Sequence, residues 1–404
     1  MRPSHCTITA DLVQRHAQAR AQKYLKLSGR GQKCTTATLW AVLLWAAGRM
    51  RSVAAACRLL RKAPSDTAAR QALLATLPDY AELQRRLNRA LQGDLPKALR
   101  ARPQRVALDL NLQPYYGQPQ RDPEEIYVGA HKAGTKQFHA YATAYVLFHG
   151  CRWTLALRPV GHSDPWEDVV ADLLRQVRKA GVRVRYLLLD RGFYSVAVVR
   201  YLQRARCPFV MPAIRRGRRP GHPQGASGTW ALCAWKKSGW ARYTLEDRRG
   251  TQRASFDVAV ACLRKPPVRR PSAGPAPRRK KRRPRRLVWL YAVWGVRLGS
   301  PQAVRQAYRS RFGIETSYRQ LNQGRARTST RSPGVRLLLV GLALLLRNVW
   351  AWLHWEVLSQ PRRGRRRVEL GQLPLQDMLG WLAQQAEAVL GVRTERPSQR
   401  PMPA

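Results

Sequence analysis

Near Arg105 the hydrophobic pattern of this chain changes period, and the order of elements that follows admits few folds. Upstream, apolar residues recur at helical spacing. Thr38 to Arg49 reads as an apolar helix, Val53 to Arg61 as another, and a third begins at Asp66, where Ser65 can cap it. Downstream, "RVALDLNLQPYYG" alternates and stops at Pro114 and Gly117, and "QFHAYATAYVLFHG" and "CRWTLALRPV" read as two more strands joined tightly at His149-Gly150. Trp166 to Ala180 is an amphipathic helix. It is followed by the strand "VRVRYLLL", a helix from Ser195 to Arg204 and the strand "CPFVMPA". Three strands, helix, strand, helix, strand predicts a mixed sheet with helices on its faces, the first and fourth strands becoming neighbours.

Those two strands carry carboxylates, which are scarce here: 23 Asp and Glu stand against 74 Lys and Arg, a formal net charge of +51. Such an excess points to a polyanionic partner, nucleic acid first. An acidic membrane surface fits less well, because the basic residues are spread along the chain rather than gathered beside one apolar anchor. Asp109 lies inside the first strand in "VALDLN", where an ionised carboxylate is costly unless a cation pairs with it. Asp190 ends the strand "LLLD", at the edge where open α/β sheets carry their sites. Asp190 alone fits two readings evenly, a site residue or a turn-forming cap of the next helix. Side by side, the two carboxylates repel, and divalent cations relieve that repulsion.

The rest of the chain divides by composition. Residues 1–100 predict a helical N-terminal domain. The short break Lys62-Ala63-Pro64 between two helices has helix-turn-helix spacing, which would place Arg70 against DNA; a plain helical bundle with basic outer faces fits that spacing equally well. Residues 101–214 form the first part of the α/β core. Residues 215–300 read as an insertion in which "TWALCAWK", "WARYTLEDR", "ASFDVAVACLR" and "LVWLYAVWGV" form an antiparallel meander. The meander is interrupted over 264–286 by an Arg/Pro-rich loop whose Arg282 and Arg283 are candidates for phosphate contact. Helices are expected over 301–360, and 361–404 reads as a basic tail of uncertain order. The apolar run Leu337 to Leu346 is too short to span a bilayer and predicts a buried core helix. Seven widely spaced cysteines with no CxxC pair argue against a disulfide frame or a zinc finger, and the N-terminus lacks an apolar signal core, so a reduced, cytoplasmic, nucleoid-associated protein is expected.

A third carboxylate lies in "AYRSRFGIETSYRQLNQ". At helical spacing Tyr308, Arg311, Glu315 and Asn322 share one face, beside an apolar stripe of Ala307, Ile314 and Leu321. Glu can complete a metal cage while Arg and Tyr hold phosphate. A surface helix with an Arg311–Glu315 ion pair is the plainer reading of that helix alone. Taken together, "ALDLNLQPYYG", "LLLDRGFYS" and "YRSRFGIE", in this order, resemble the DDE transposases of the IS4-like superfamily, and within it the ISH3 branch. The last segment matches the family's Y-x2-R-x3-E-x6-K signature at Tyr308, Arg311 and Glu315. Asn322 stands where the family has a DNA-contacting Lys, a role Arg319 or Arg325 can take over.

The resemblance covers roughly residues 30–355. It implies an RNase H-like core with a β-strand insertion, and two Mg2+ ions (Mn2+ substituting) held by Asp109, Asp190 and Glu315. It further implies metal-dependent cleavage and strand transfer at the ends of an insertion sequence, with element ends and target DNA as partners, no membrane, and a homodimer in the synaptic complex. A Trp on the insertion of such enzymes can hold a flipped base; Trp289 and Trp294 are placed for this, although a core position suits either. His131 and His139 have no evident role. Two rival readings are a decayed or domesticated DNA-binding protein and another nuclease on the same core.

Overall fold

The two-residue period of the first strand decides where everything else packs. The computed structural model describes residues 7–118, 125–265, 285–311, 323–363 and 365–395. Its strands are β1 (Gln104–Pro114), β2 (Tyr127–Lys132), β3 (Thr135–Phe148), β4 (Cys151–Val160), β5 (Val184–Leu189), β6 (Phe209–Pro212), β7 (Gly239–Glu246), β8 (Arg253–Lys265) and β9 (Arg285–Trp294). They form one mixed sheet in the order β2-β3-β1-β5-β6-β9-β8-β7, with β4 also paired to β3. β1 runs antiparallel to β3 and parallel to β5, and β5 runs parallel to β6. The first and fourth strands of the expected order, β1 and β5, are therefore neighbours. The β3–β4 hairpin turns at His149 and Gly150, with φ of 48° and 79°, the positive pair that matches the strands' twist. The insertion joins the same sheet through β6 and β9.

Helices cover both faces. Val106, Leu108, Leu187 and Leu189 point to a core shared with α7 (Trp166–Lys179) and α8 (Val196–Arg204). Ala107, Tyr186 and Leu188 point the other way, against Val304 and Tyr308 of α10 (Pro301–Arg309). The helices before the sheet are α1 (Ala10–Leu25), α2 (Thr36–Gly48), α3 (Val53–Leu59), α4 (Asp66–Thr76), α5 (Tyr80–Gln92) and α6 (Lys97–Ala101). Ser65 caps α4 through the Ala68 amide, as its place before Asp66 predicts. The cores of α1, α2 and α5 are continuous with that of the sheet.

Several elements differ from expectation. Where "TWALCAWK" reads as a strand, its first four residues belong to a short helix, α9 (Gly228–Leu232). An apolar run that short has no period to separate the two states. Thr229 decides the matter by accepting from the Arg216 amide (2.7 Å) and donating to Ile214 O (2.9 Å). β2 was not expected at all. The apolar run at Leu337 lies within α11 (Pro333–Trp352), a helix with its continuation to Val357 long and apolar enough to cross a membrane, but 94% of its most apolar window is buried inside the protein. The expected basic tail contains α12 (Leu375–Leu390), which buries Leu375, Met378, Leu379, Leu382, Ala383, Ala386 and Leu390. At roughly 1.5–3 kcal/mol for each large side chain, that stripe is enough to dock the helix. Glu387 of α12 accepts from Trp45 Nε1 and pairs with Arg49 at the end of α2, both at 2.8 Å.

Candidate active site

Asp109 and Asp190 arrive at one place through register. Leu108 on β1 pairs with Leu189 on β5, so the next residue on each strand, Asp109 and Asp190, emerges beside the other. Both follow the alternation of Ala107 and Leu188 and face α10. Each carboxylate accepts from the amide that follows it, Leu110 N to Asp109 (2.9 Å) and Arg191 N to Asp190 (2.7 Å). Asp190 also begins the turn Arg191–Phe193 as its capping residue. The cap and the site are thus the same side chain seen from two directions.

Arg311 lies between the two carboxylates. Its Nη2 is 3.1 Å from Asp109 Oδ1, and its Nη1 is 3.3 Å from Asp190 Oδ1. Nη1 also donates to Tyr308 Oη at 2.6 Å, and that hydroxyl donates to Leu189 O at 3.3 Å. Asp109 and Arg311 are 5% and 8% exposed, whereas the Asp190 side chain is 43% exposed. Burial pushes the Asp109 carboxyl above its ordinary range, an effect opposed by Arg311 and, less, by Arg152. Burial works against the Arg311 charge, and Asp109, Tyr308 and Asp190 outweigh it, holding the guanidinium protonated.

An open cleft of about 560 Å³ lies in front of this cluster, with both carboxylates in its wall. Lys132, Arg191, Arg305 and Arg309 surround it. The Arg305 guanidinium lies over the half-buried Trp289 ring, 4.5 Å from its centroid. Carboxylates at the base of a basic cleft suit an anionic substrate approached by a cation. The donor chemistry fits divalent metal: hard carboxylate oxygens converge on one position, where a guanidinium now supplies the positive charge. Among the described residues no third His, Cys, Asp or Glu joins them. Glu315, the expected third ligand, lies outside the described residues, as do Arg319, Asn322, Arg282 and Arg283.

The other expected residues are dispersed. Tyr308 is 2% exposed, lines the cleft, and bonds through its hydroxyl to Arg311 and Leu189, so it braces the site. Arg311 meets both carboxylates and also lines the cleft. Arg325 donates to Gln113 on β1, further along the strand from Asp109. Arg70 is exposed on α4 and is not among the residues lining the cleft, and the α3–α4 turn is held by the C-terminal segment: Arg61 and Lys62 amides donate to Gly391 and Leu390 carbonyls at 2.8 Å. Of the two tryptophans, Trp289 lines the cleft and Trp294 stacks on Phe209. Sequence reasoning missed Lys132, on the unexpected β2, and Arg305 and Arg309. The last two lie on the same helix as Tyr308, where spacing alone could have shown them.

The profile of the family described as "Transposase DDE domain" matches residues 116–349. No curated protein matches the chain in sequence. The fold is similar to that in the cryo-EM structure of the piggyBac transposase synaptic complex with hairpin DNA. That similarity has a TM-score of 0.53 and 13% identity, and covers 100% of this chain and 88% of the other. At that identity the likeness is one of fold, the RNase H-like arrangement of mixed sheet and flanking helices.

Proposed function

The chain belongs to the transposase DDE domain family, and from that premise we propose that the Asp109–Asp190 cleft is where it cuts and rejoins DNA. It is a DNA transposase, an enzyme of strand cleavage and strand transfer. The observation that carries the assignment of the site is register: parallel pairing of β1 and β5 joins two aspartates far apart in sequence at the base of a basic cleft. Enzymes of this family use divalent metal ions. We assign them here to Asp109, Asp190 and Glu315, with two Mg2+ ions and Mn2+ as a substitute. When bound, such ions activate the attacking oxygen and stabilise the leaving one in phosphoryl transfer.

The chain's own groups do the positioning. Lys132, Arg191, Arg305 and Arg309 draw the phosphodiester backbone into the cleft and neutralise it. Arg311 keeps the two carboxylates together, and Tyr308 fixes Arg311. Water attacks the scissile phosphorus first, freeing a 3′-hydroxyl. That hydroxyl then attacks a phosphodiester of the target, so both steps exchange one P–O bond for another and no enzyme–DNA bond is required. The partners in this reading are element ends and target DNA, brought together by a homodimer; the piggyBac structure of similar fold is itself a synaptic complex with DNA. Membership of the ISH3 branch, contact of DNA by Arg70 on α4, the division into five segments and a place at the nucleoid complete the proposal.

The test is cleavage of DNA carrying the gene's own flanking ends, with Mg2+ or Mn2+, by wild type and Asp190→Ala. Loss of cutting with DNA binding retained is expected for this variant and for Asp109→Ala. Cutting that survives Asp109→Ala would remove that residue from the site.

A further inference from the structure

β1 is parallel to β5 and β5 to β6, so these three strands begin together at one end of the sheet, while Asp190 follows β5 at the other. The beginning is basic. Arg102 and Arg105 flank the start of β1, Arg183 and Arg185 the start of β5, Arg206 comes just ahead of β6, and Arg178 lies in the last turn of α7. All six are exposed. The backbone ties the strand entrances together. Gln104 N donates to Arg183 O and Leu187 N to Pro208 O, both at 2.8 Å, and Arg183 Nη2 donates to Ala101 O at 2.7 Å.

Arg178, Arg183 and Arg206 line one open groove of about 410 Å³, whose other walls are glycine, cysteine and apolar residues. No carboxylate lines it. The sequence keeps acids away as well: residues 95–108, 173–189 and 191–245 contain no Asp or Glu. None of the six arginines forms an ion pair among the described residues, whereas exposed arginines elsewhere do. Arg85 and Arg89 share Glu82, Arg175 on α7 takes Asp172, and Arg242 takes Asp257. A cation in the last turn of a helix is favoured by the helix dipole, which accounts for Arg178. It does not account for the other five, which lie outside helices. Like charges gathered on an exposed surface repel, and a polyanion relieves that repulsion.

We propose that this end of the sheet is a second DNA surface, which holds the phosphate backbone of a duplex other than the one in the cleft. The starts of β1, β5 and β6 span roughly 10 Å at the spacing of strands. Over that length a duplex presents about six phosphate charges. Arg183 and Asp190 stand seven residues apart on either side of β5, roughly 23 Å at the rise of a strand. A duplex is stiff over about 150 base pairs, so one lying in the cleft does not fold back to the opposite end of the sheet. The surface stands on the placement of these arginines; that its duplex takes part in strand transfer rests on the reading above.

The test uses the full chain, wild type and the variant Arg178→Gln/Arg185→Gln/Arg206→Gln, whose three side chains make no hydrogen bond to the rest of the described residues. The probe is a short random-sequence duplex, with its affinity measured against salt and its stoichiometry at saturation. Wild type should hold one more duplex per protomer than the Gln variant. The slope of log affinity against log salt should fall by about 0.9 for each phosphate released, up to about 2.7 for the three substitutions. The matching Lys variant, which keeps the charges, should behave as wild type, and all three proteins should melt alike. Unchanged slope and stoichiometry would show a solvated face and overturn the surface. A lower slope with equal stoichiometry would mean that the arginines hold the same duplex as the cleft, and would overturn its being a second one. A loss of binding that the Lys variant shares, with a lower Tm, would show packing groups and also overturn it. Cleavage of element ends is measured in parallel. A second duplex held by a wild type that cuts no ends would support the surface and count against the transposase reading; cutting with no second duplex would do the reverse.

Discussion

Arg311 is the residue on which the candidate site turns. Removing it leaves Asp109 buried beside Asp190 with their main counter-charge gone, whereas removing Asp190 leaves the Asp109–Arg311 pair intact. Arg311→Ala should therefore lose about 3 kcal/mol in denaturant unfolding, and Asp190→Asn much less. Millimolar Mn2+ should restore part of the Arg311→Ala loss, because a cation again lies between the carboxylates. A variant as stable as wild type would mean that the guanidinium is not what holds them. His139 gives a second prediction at this scale. Burial, then the neighbouring Arg336, lowers its pKa from 6.5 to about 4, so the fold favours the neutral ring. The unfolded chain takes up the proton first, and stability contributed above pH 6.5 is lost as pH falls towards 4. His139→Gln should lose less stability across that window than wild type, as read from Tm against pH. Parallel curves would remove His139 from the acid response.

Among the elements, β4 shows how the helical parts and the sheet become one core. Its outer edge offers unpaired backbone groups, and helix side chains take the place of another strand. Asn348 of α11 accepts from Thr154 N (2.9 Å) and donates to Thr154 O (2.8 Å). Asn88 of α5 does the same for Leu157, at 2.7 and 3.0 Å. Both asparagines are 2% exposed or less, so no water replaces them cheaply. Asn348→Leu, close in size but unable to bond, should cost about 2 kcal/mol or more and speed amide exchange at Thr154. Unchanged exchange there would show that the edge is protected by burial alone. In the sequence, Asn348 reads only as the polar end of an apolar run, because a helix pattern does not say which edge the helix will cover.

For the molecule as a whole, charge and topology act at different ranges. A net charge of +51 draws DNA at long range, while the fall of affinity with salt counts the phosphates that the basic residues neutralise. Replacing residues 269–283, dense in Arg and Lys, with a Gly/Ser linker should flatten the plot of log affinity against log salt, by about 0.9 for each phosphate the segment neutralises. An unchanged slope would mean that this segment meets no phosphate. The cleft concentrates the same charge locally, with Lys132 from β2, Arg191 from β5's end and Arg305 and Arg309 from α10 around two aspartates.

The sequence by itself determined that β1 and β5 are neighbours, and with it the meeting of Asp109 and Asp190. Two-residue alternation and parallel pairing allow few other outcomes. It also determined the β3–β4 turn, since His149-Gly150 separates two strong strands, and the cap of α4 at Ser65. Only the tertiary structure decided that Arg311 bridges the carboxylates, that Tyr308 holds Arg311, that Gly228–Leu232 is helical, and that α12 docks on α2. The physical reason is common to all of these. A local pattern reports the period of a segment and which of its faces is apolar, but the partner of a charge or an apolar stripe is set by what the fold brings against it. In the sequence Arg311 reads either as a phosphate ligand or as the ion-pair partner of Glu315, four residues on. The fold brings two other carboxylates, Asp109 and Asp190, against it.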